Sequence, residues 1–233
     1  MNLRTFIIAI FLGLAIIFSP LSAESSSSPQ TRYTDLKTAV SFSGKLPSAS
    51  GEGIIYRLNL LPHNVFYLSN LYVGHKEGEN RFDDIGVYTQ HKNILIFHGG
   101  KEGPLYFEIA SKNHLKKRDI EGKPIASKLN HSLKRDRTYQ PIAPRLFMHG
   151  MYSYMADAGV FHNCLTHQNY SVATQADNLE LERAYLDTQR IVNAPMMVLI
   201  EGEIQQRPNM EGPLHTLIVH KFLRIEPEGK CKD

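Results

Sequence analysis

The chain of 233 residues contains two cysteines, Cys164 and Cys231, and their positions constrain the fold more than any other feature. In an oxidising compartment, two cysteines most simply form one disulfide. Cys164 ends the first hairpin of the second half, and Cys231 lies almost at the C-terminus. A bridge would therefore make everything after Pro144 one closed unit. Two free thiols or metal ligands are the alternative, which the absence of a Cys-x-x-Cys motif disfavours.

Residues 1–23 have the pattern of an export signal, which predicts the oxidising compartment. Arg4 supplies the positive charge, and residues 6–18 form an apolar run that is short for a bilayer span. We expect cleavage near Ala23, with an uncleaved membrane anchor as the alternative. No cysteine lies near that point, so we expect neither lipid attachment nor a stable membrane anchor.

The first half of the mature chain predicts short β-strands. After a lead-in over 24–34 that we expect to be disordered, residues 35–137 alternate apolar and polar side chains between turn signals. The predicted strands are 54–61, 65–73, 82–89, 93–98, 105–110 and 114–119. Such spacing favours an antiparallel barrel or sandwich.

A second domain is predicted over 145–233, after a proline-containing linker at 138–144. The side chains of its first strand alternate between two faces. Leu146 and Met148 lie on one face, and His149 and Met151 lie on the other. A helix is expected from Asp177 or Asn178, with an apolar face made by Leu181, Ala184 and Tyr185. Three strands, the helix and two further strands are the order of a five-stranded OB-like barrel.

The run from Gly150 to Cys164 resembles the start of the C-terminal domain of NlpE-type proteins, a family of bacterial copper-homeostasis and envelope-stress lipoproteins. The segments at 181–186 and 198–202 and the final Cys231 are similar in order and spacing. In the first half, Leu46-Pro47, residues 71–74, 84–88 and 119–125 resemble the N-terminal domain of the same family. The resemblance implies a mainly β protein, with a small lipocalin-like barrel followed by an OB-like barrel with one helix.

One departure from the family pattern concerns its chemistry. Where family members carry Cys-x-x-Cys after Leu-Pro, this chain has Ser48 and Gly51. A thiolate pair can bind Cu(I) or form a redox-sensitive bridge, whereas a hydroxyl and a glycine cannot.

The function implied by the resemblance is non-enzymatic: copper homeostasis and envelope-stress signalling in the periplasm, by contact with a sensor kinase or another periplasmic protein. No recognised catalytic motif occurs in the sequence. The net charge of +3 gives no support for nucleic-acid binding. Lysines and arginines concentrate over 116–137, which fits either an anionic partner or the solvated faces of a hairpin and linker. The alternative function is a binding module for a lipid, an oligosaccharide or a peptide.

Direct copper binding is a further hypothesis. Apart from copper, the sequence suggests no cofactor. His149, Met151 and Met155 share one face of the predicted strand, and imidazole and thioether groups are suitable Cu(I) ligands. Alternatively, the methionines fill the barrel core. Other histidines show no zinc-ligand spacing.

Overall fold

The computed structural model describes residues 31–49, 51–74, 80–99, 103–188, 191, 193–206 and 215–231. The strands are β1 Val40–Leu46, β2 Gly53–Leu60, β3 Val65–Val73, β4 Arg81–His91, β5 Ile94–His98, β6 Leu105–Ser111, β7 His114–Lys117, β8 Ser132–Arg135, β9 Arg145–Met155, β10 Ala158–Asn163, β11 Asn169–Val172, β12 Met196–Gln206 and β13 His215–Glu226. One α-helix, α1 Asn178–Thr188, lies between β11 and β12. The predicted export signal and most of the predicted lead-in lie outside the described residues.

The first barrel consists of β1 to β8, each strand paired antiparallel with the next. It closes where β8 pairs with β1, with Phe42 opposite Arg135. The inward side chains of the alternating strands fill its interior, and sixteen residues form one buried cluster that includes Phe42, Leu58, Phe66, Tyr88, Phe97 and Phe107. The small closed barrel that the family resemblance implied is therefore confirmed.

Gly86 is required in β4 because two backbone segments approach closely there. A Cβ at this position would lie 2.1 Å from the carbonyl oxygen of His98 and 2.7 Å from the Phe66 ring. Neither the backbone nor the packed ring can move without disturbing the barrel core. Two residues further along β4, Tyr88 lies in the same core and is 1% exposed.

The prediction that residues 24–34 form a disordered lead-in is wrong at the C-terminal end of that range. Tyr33 is 2% exposed and packs edge-on against Phe42. Its backbone N–H donates to Gln90, and its hydroxyl donates to the carbonyl oxygen of Lys112 at 2.8 Å. Burial of an aromatic side chain with both polar groups satisfied holds this segment to the barrel.

The second barrel has the strand order β10-β11-β13-β12-β9 and closes between β9 and β10. β11 and β13 run parallel, with Ser171 opposite Thr216, and all the other pairs are antiparallel. The predicted apolar face of α1 is confirmed, since Leu181 and Tyr185 are fully buried. The helix begins at Asn178, and one carboxylate oxygen of the preceding Asp177 accepts the N–H of Phe222 in β13.

No helix among the described residues is both long enough and apolar enough to cross a membrane.

Candidate functional site

The β9 strand presents two different faces along its 11 residues. Met148, Gly150 and Tyr152 point into the barrel, and Tyr152 is fully buried. Its other face carries His149, Met151 and Met155, and Met155 is 62% exposed. The interpretation that these methionines fill the barrel core is therefore wrong for Met155.

The structure does not bring the three predicted copper ligands to one point. His149 and Met155 are six residues apart on one continuous strand, which corresponds to about 20 Å. Met151 instead lies between His162 of β10 and Met197 of β12 in the strand register. Met197 is only 5% exposed, and its side chain packs beside Gly229 in the C-terminal segment. Sequence reasoning missed this grouping, which depends on strand pairing.

Cys164 and Cys231 are joined by a disulfide, with their Cα atoms 5.1 Å apart. The bond holds the end of the chain against β9, because the Cys164 N–H donates to the carbonyl oxygen of His149. A small groove of about 190 Å³ lies beside it, at the boundary between the two barrels. Phe147 and Leu165 line this groove and are 55% and 43% exposed, and Ile85 of the first barrel lines it as well.

The two barrels pack directly against each other. Val65, Tyr67 and Ile85 point out of the first barrel and belong to the buried cluster of the second. β3 is therefore buried on both faces over its first half. The hydroxyls of Tyr67 and Tyr170 lie 3.2 Å apart in this interface. Desolvation, and then the neighbouring Tyr170, raise the pKa of Tyr67 well above its usual value.

The linker is bonded to the first barrel through Asn59, which is 1% exposed although its side chain points outward. The Asn59 amide donates to the carbonyl oxygen of Gln140 and accepts the N–H of Ile142 at 2.8 Å. The Tyr139 hydroxyl donates to the same amide oxygen. The proline-containing linker is therefore a fixed part of the structure along this stretch.

Asp83 adds a polar contact at the same boundary. Its side chain is 3% exposed, pairs with Arg81 at 2.8 Å and accepts the backbone N–H of Arg145. Arg81 in turn donates to the carbonyl oxygen of Ala143. The Asp83 carboxylate is therefore buried against the linker, although it belongs to an acidic pair in the sequence.

His215 is a titratable residue in the interface between the barrels. Its ring lies 5.7 Å from that of Tyr67 and 6.4 Å from that of Tyr170, and burial lowers its pKa below 6.5. The unfolded chain therefore takes up this proton before the folded chain does. The stability that neutral His215 contributes is present above about pH 6.5 and is lost as the pH falls below that value.

We expect the melting temperature of the native chain to fall more steeply below pH 6.5 than that of a His215→Gln variant. Thermal melts followed by circular dichroism between pH 7.5 and 5 would measure this difference. His91→Gln, a change at an exposed histidine, is the matched control and should melt like the native chain at every pH. Parallel pH profiles for the native chain and His215→Gln would contradict the prediction.

The loop between β1 and β2 carries Ser48 and Gly51, the positions of the missing thiol pair. This loop belongs to the first barrel, whereas the predicted copper ligands His149, Met151 and Met155 lie on β9 in the second barrel. Among the described residues, no group of three or more His, Cys, Asp and Glu side chains is placed to hold a metal ion.

Together, the barrels and their bonded junction define a class of protein: a two-domain, mainly β module whose eight-stranded and OB-like barrels are joined by a fixed linker. Two family models match these domains: the NlpE N-terminal domain over residues 42–128 and the NlpE C-terminal OB domain over residues 143–232. Lipoprotein NlpE of Escherichia coli strain K12 is 30% identical over 193 residues, covering 82% of this chain and 80% of that protein. The chain belongs to the NlpE family.

Two solved structures are also similar in sequence. The Cpx pathway activator NlpE from Escherichia coli is 29% identical, with 82% of this chain and 97% of that chain covered and a TM-score of 0.37. A putative lipoprotein from Shewanella oneidensis is 27% identical, with 42% of this chain and 88% of that chain covered and a TM-score of 0.36.

Proposed function

We propose that this chain is a non-enzymatic envelope-stress protein of the periplasm that signals through protein contacts and takes part in copper homeostasis. The observation that carries the proposal is the identity to lipoprotein NlpE of Escherichia coli, which extends through both barrels. The similar NlpE of Escherichia coli is a Cpx pathway activator, so the proposed partner is a sensor of envelope stress. The bonded junction supports action as one unit.

The test is production of the chain in Escherichia coli cells that lack their own NlpE and carry a Cpx-responsive reporter. We expect reporter activity to rise several-fold over an empty vector, with the Escherichia coli protein as the positive control. One arm uses the chain's own leader, and a second arm uses a lipoprotein leader. A response in the second arm alone would show that signalling requires a lipid anchor. No response in either arm, with folded protein present in the periplasm, would refute the proposal.

Small-ligand carriage inside the first barrel is less well supported than signalling. Aromatic and aliphatic side chains that are almost fully buried fill its interior, including Phe42, Leu58, Phe97 and Leu115. A barrel that encloses a ligand needs a cavity where this barrel has side chains.

We expect the copper role not to involve tight binding by this chain. Met151 and His162 are cross-strand neighbours, but His149 and Met155 lie too far apart to complete one site with them. In a Cu(I) titration against a chromogenic chelator without oxygen, the native chain should therefore leave copper with the chelator. A Ser48→Cys and Gly51→Cys double variant should take up about one equivalent, because thiolates select Cu(I). Stoichiometric uptake by the native chain that is lost in Met151→Leu would contradict this expectation.

A further inference from the structure

A second cleft, of about 450 Å³, lies in the C-terminal barrel between the tip of the β9–β10 hairpin and the start of α1. Tyr154 and Asp157 line it from the hairpin, and Thr174, Gln175, Asn178 and Glu182 line it from the helix side. None of these residues lines the groove beside the disulfide.

Asn178 offers a buried acceptor at this cleft. The residue is 6% exposed, and its amide nitrogen donates to the Glu182 carboxylate. This bond orients the amide, and it leaves the Asn178 Oδ1 atom without a hydrogen-bond partner among the described residues. A buried acceptor without a partner is unfavourable. A ligand that donates hydrogen bonds would relieve this cost.

The charge of the cleft is negative. Among the described residues, the charged side chains that line it are those of Asp157 and Glu182, with no lysine or arginine beside them. The pKa of the Tyr154 hydroxyl is raised by desolvation and then by the negative charges of Glu182 and Asp157. The partial positive charge at the N-terminus of α1 is about half an elementary charge. Two carboxylates outweigh it, so the cleft favours a cation.

The cleft is better suited to an organic cation than to a metal ion. Ca²⁺ and Mg²⁺ require a compact shell of oxygen ligands. The described residues contain no group of three or more His, Cys, Asp and Glu side chains that could hold a metal. The cleft has room for several non-hydrogen atoms, and Tyr154 and Leu179 give it apolar wall surface. An aromatic ring attracts ammonium and guanidinium groups through its face.

We propose that this cleft binds an organic cation through an alkylammonium or guanidinium group. Asp157 and Glu182 supply the charge, Asn178 Oδ1 accepts a hydrogen bond, and Tyr154 contacts the apolar part of the ligand. A free polyamine and the basic side chain of a peptide segment share this chemistry. The proposal does not depend on Cpx signalling, because it concerns binding by the purified chain.

The test is a titration of the ¹⁵N-labelled full chain followed by nuclear magnetic resonance. One arm uses spermidine, and the other uses a blocked tripeptide with arginine at its centre. In the arm that matches the natural ligand, we expect the largest shifts at residues 154–157 and 174–182. Glu182→Gln and Asp157→Asn should each weaken binding by about threefold to tenfold, as for a partly exposed ion pair.

Glu180→Gln is the matched control, because Glu180 lies on the same helix and pairs with Arg183, outside the cleft. This variant should bind like the native chain. Weakening by Glu180→Gln equal to that by Glu182→Gln would overturn the proposal in favour of diffuse charge attraction. Absence of shifts at the cleft in both arms would also overturn it. So would Ca²⁺ that shifts the same residues and displaces the organic cation.

Discussion

Replacing Cys164 and Cys231 together by serine is expected to lower the free energy of unfolding by about 4 kcal/mol. The two residues are 67 positions apart, and a closed loop of that length removes this much entropy from the unfolded chain on the chain-entropy model. The loss should appear as a lower midpoint in guanidinium unfolding of the full chain, followed by circular dichroism.

A reducing agent provides the control for this experiment. Dithiothreitol should move the midpoint of the native chain to that of the double serine variant and leave the variant unchanged. Agreement between the reduced native chain and the variant would assign the effect to the bond and not to the serine side chains. Equal midpoints for the oxidised native chain and the variant would show that the bond does not stabilise the fold.

Asn59→Ala is expected to lower the free energy of unfolding by about 3 kcal/mol, because it removes the hydrogen bonds of a buried amide and leaves the buried N–H of Ile142 without its acceptor. The carbonyl oxygen of Gln140 and the N–H of Ile142 would lose their Asn59 partner beneath the linker. Amide hydrogen exchange at Ile142 should become much faster, which reports directly on the release of the linker.

Gln140→Ala is the matched control for Asn59→Ala. The Gln140 side chain is exposed and bonds only to the Thr138 hydroxyl among the described contacts, so its removal should change stability by less than about 0.5 kcal/mol. A similarly small change for Asn59→Ala, with unaltered exchange at Ile142, would mean that the linker does not depend on this side chain.

Much of the local structure follows from the sequence. The alternation in β9 predicted a strand, and the spacing of Leu181 and Tyr185 predicted the buried face of α1. Both patterns repeat with the period of their own element, so they can be recognised without knowledge of the rest of the chain. The short strand β8 was not predicted from the sequence. Its four residues carry only one buried side chain, Leu133, so they show no alternating pattern.

The candidate sites were less predictable. His149, Met151 and Met155 share a face by alternation, but only the strand register shows that His162 and Met197 are the neighbours of Met151. The cleft at α1 joins residues from 154–157 to residues from 174–182, and no sequence spacing indicates that meeting. Contacts between elements depend on register and barrel closure, which are global properties of the fold.

The sequence by itself determined the two β-domains, the position of α1 and the family, because alternation, turn residues and ordered motifs are local. The tertiary structure decided which outward-facing side chains are buried. Asn59, Tyr67 and Asp83 all point away from the first barrel, where side chains are ordinarily solvated. They are covered because the linker and the second barrel pack across that face, and such packing depends on the shapes of both domains.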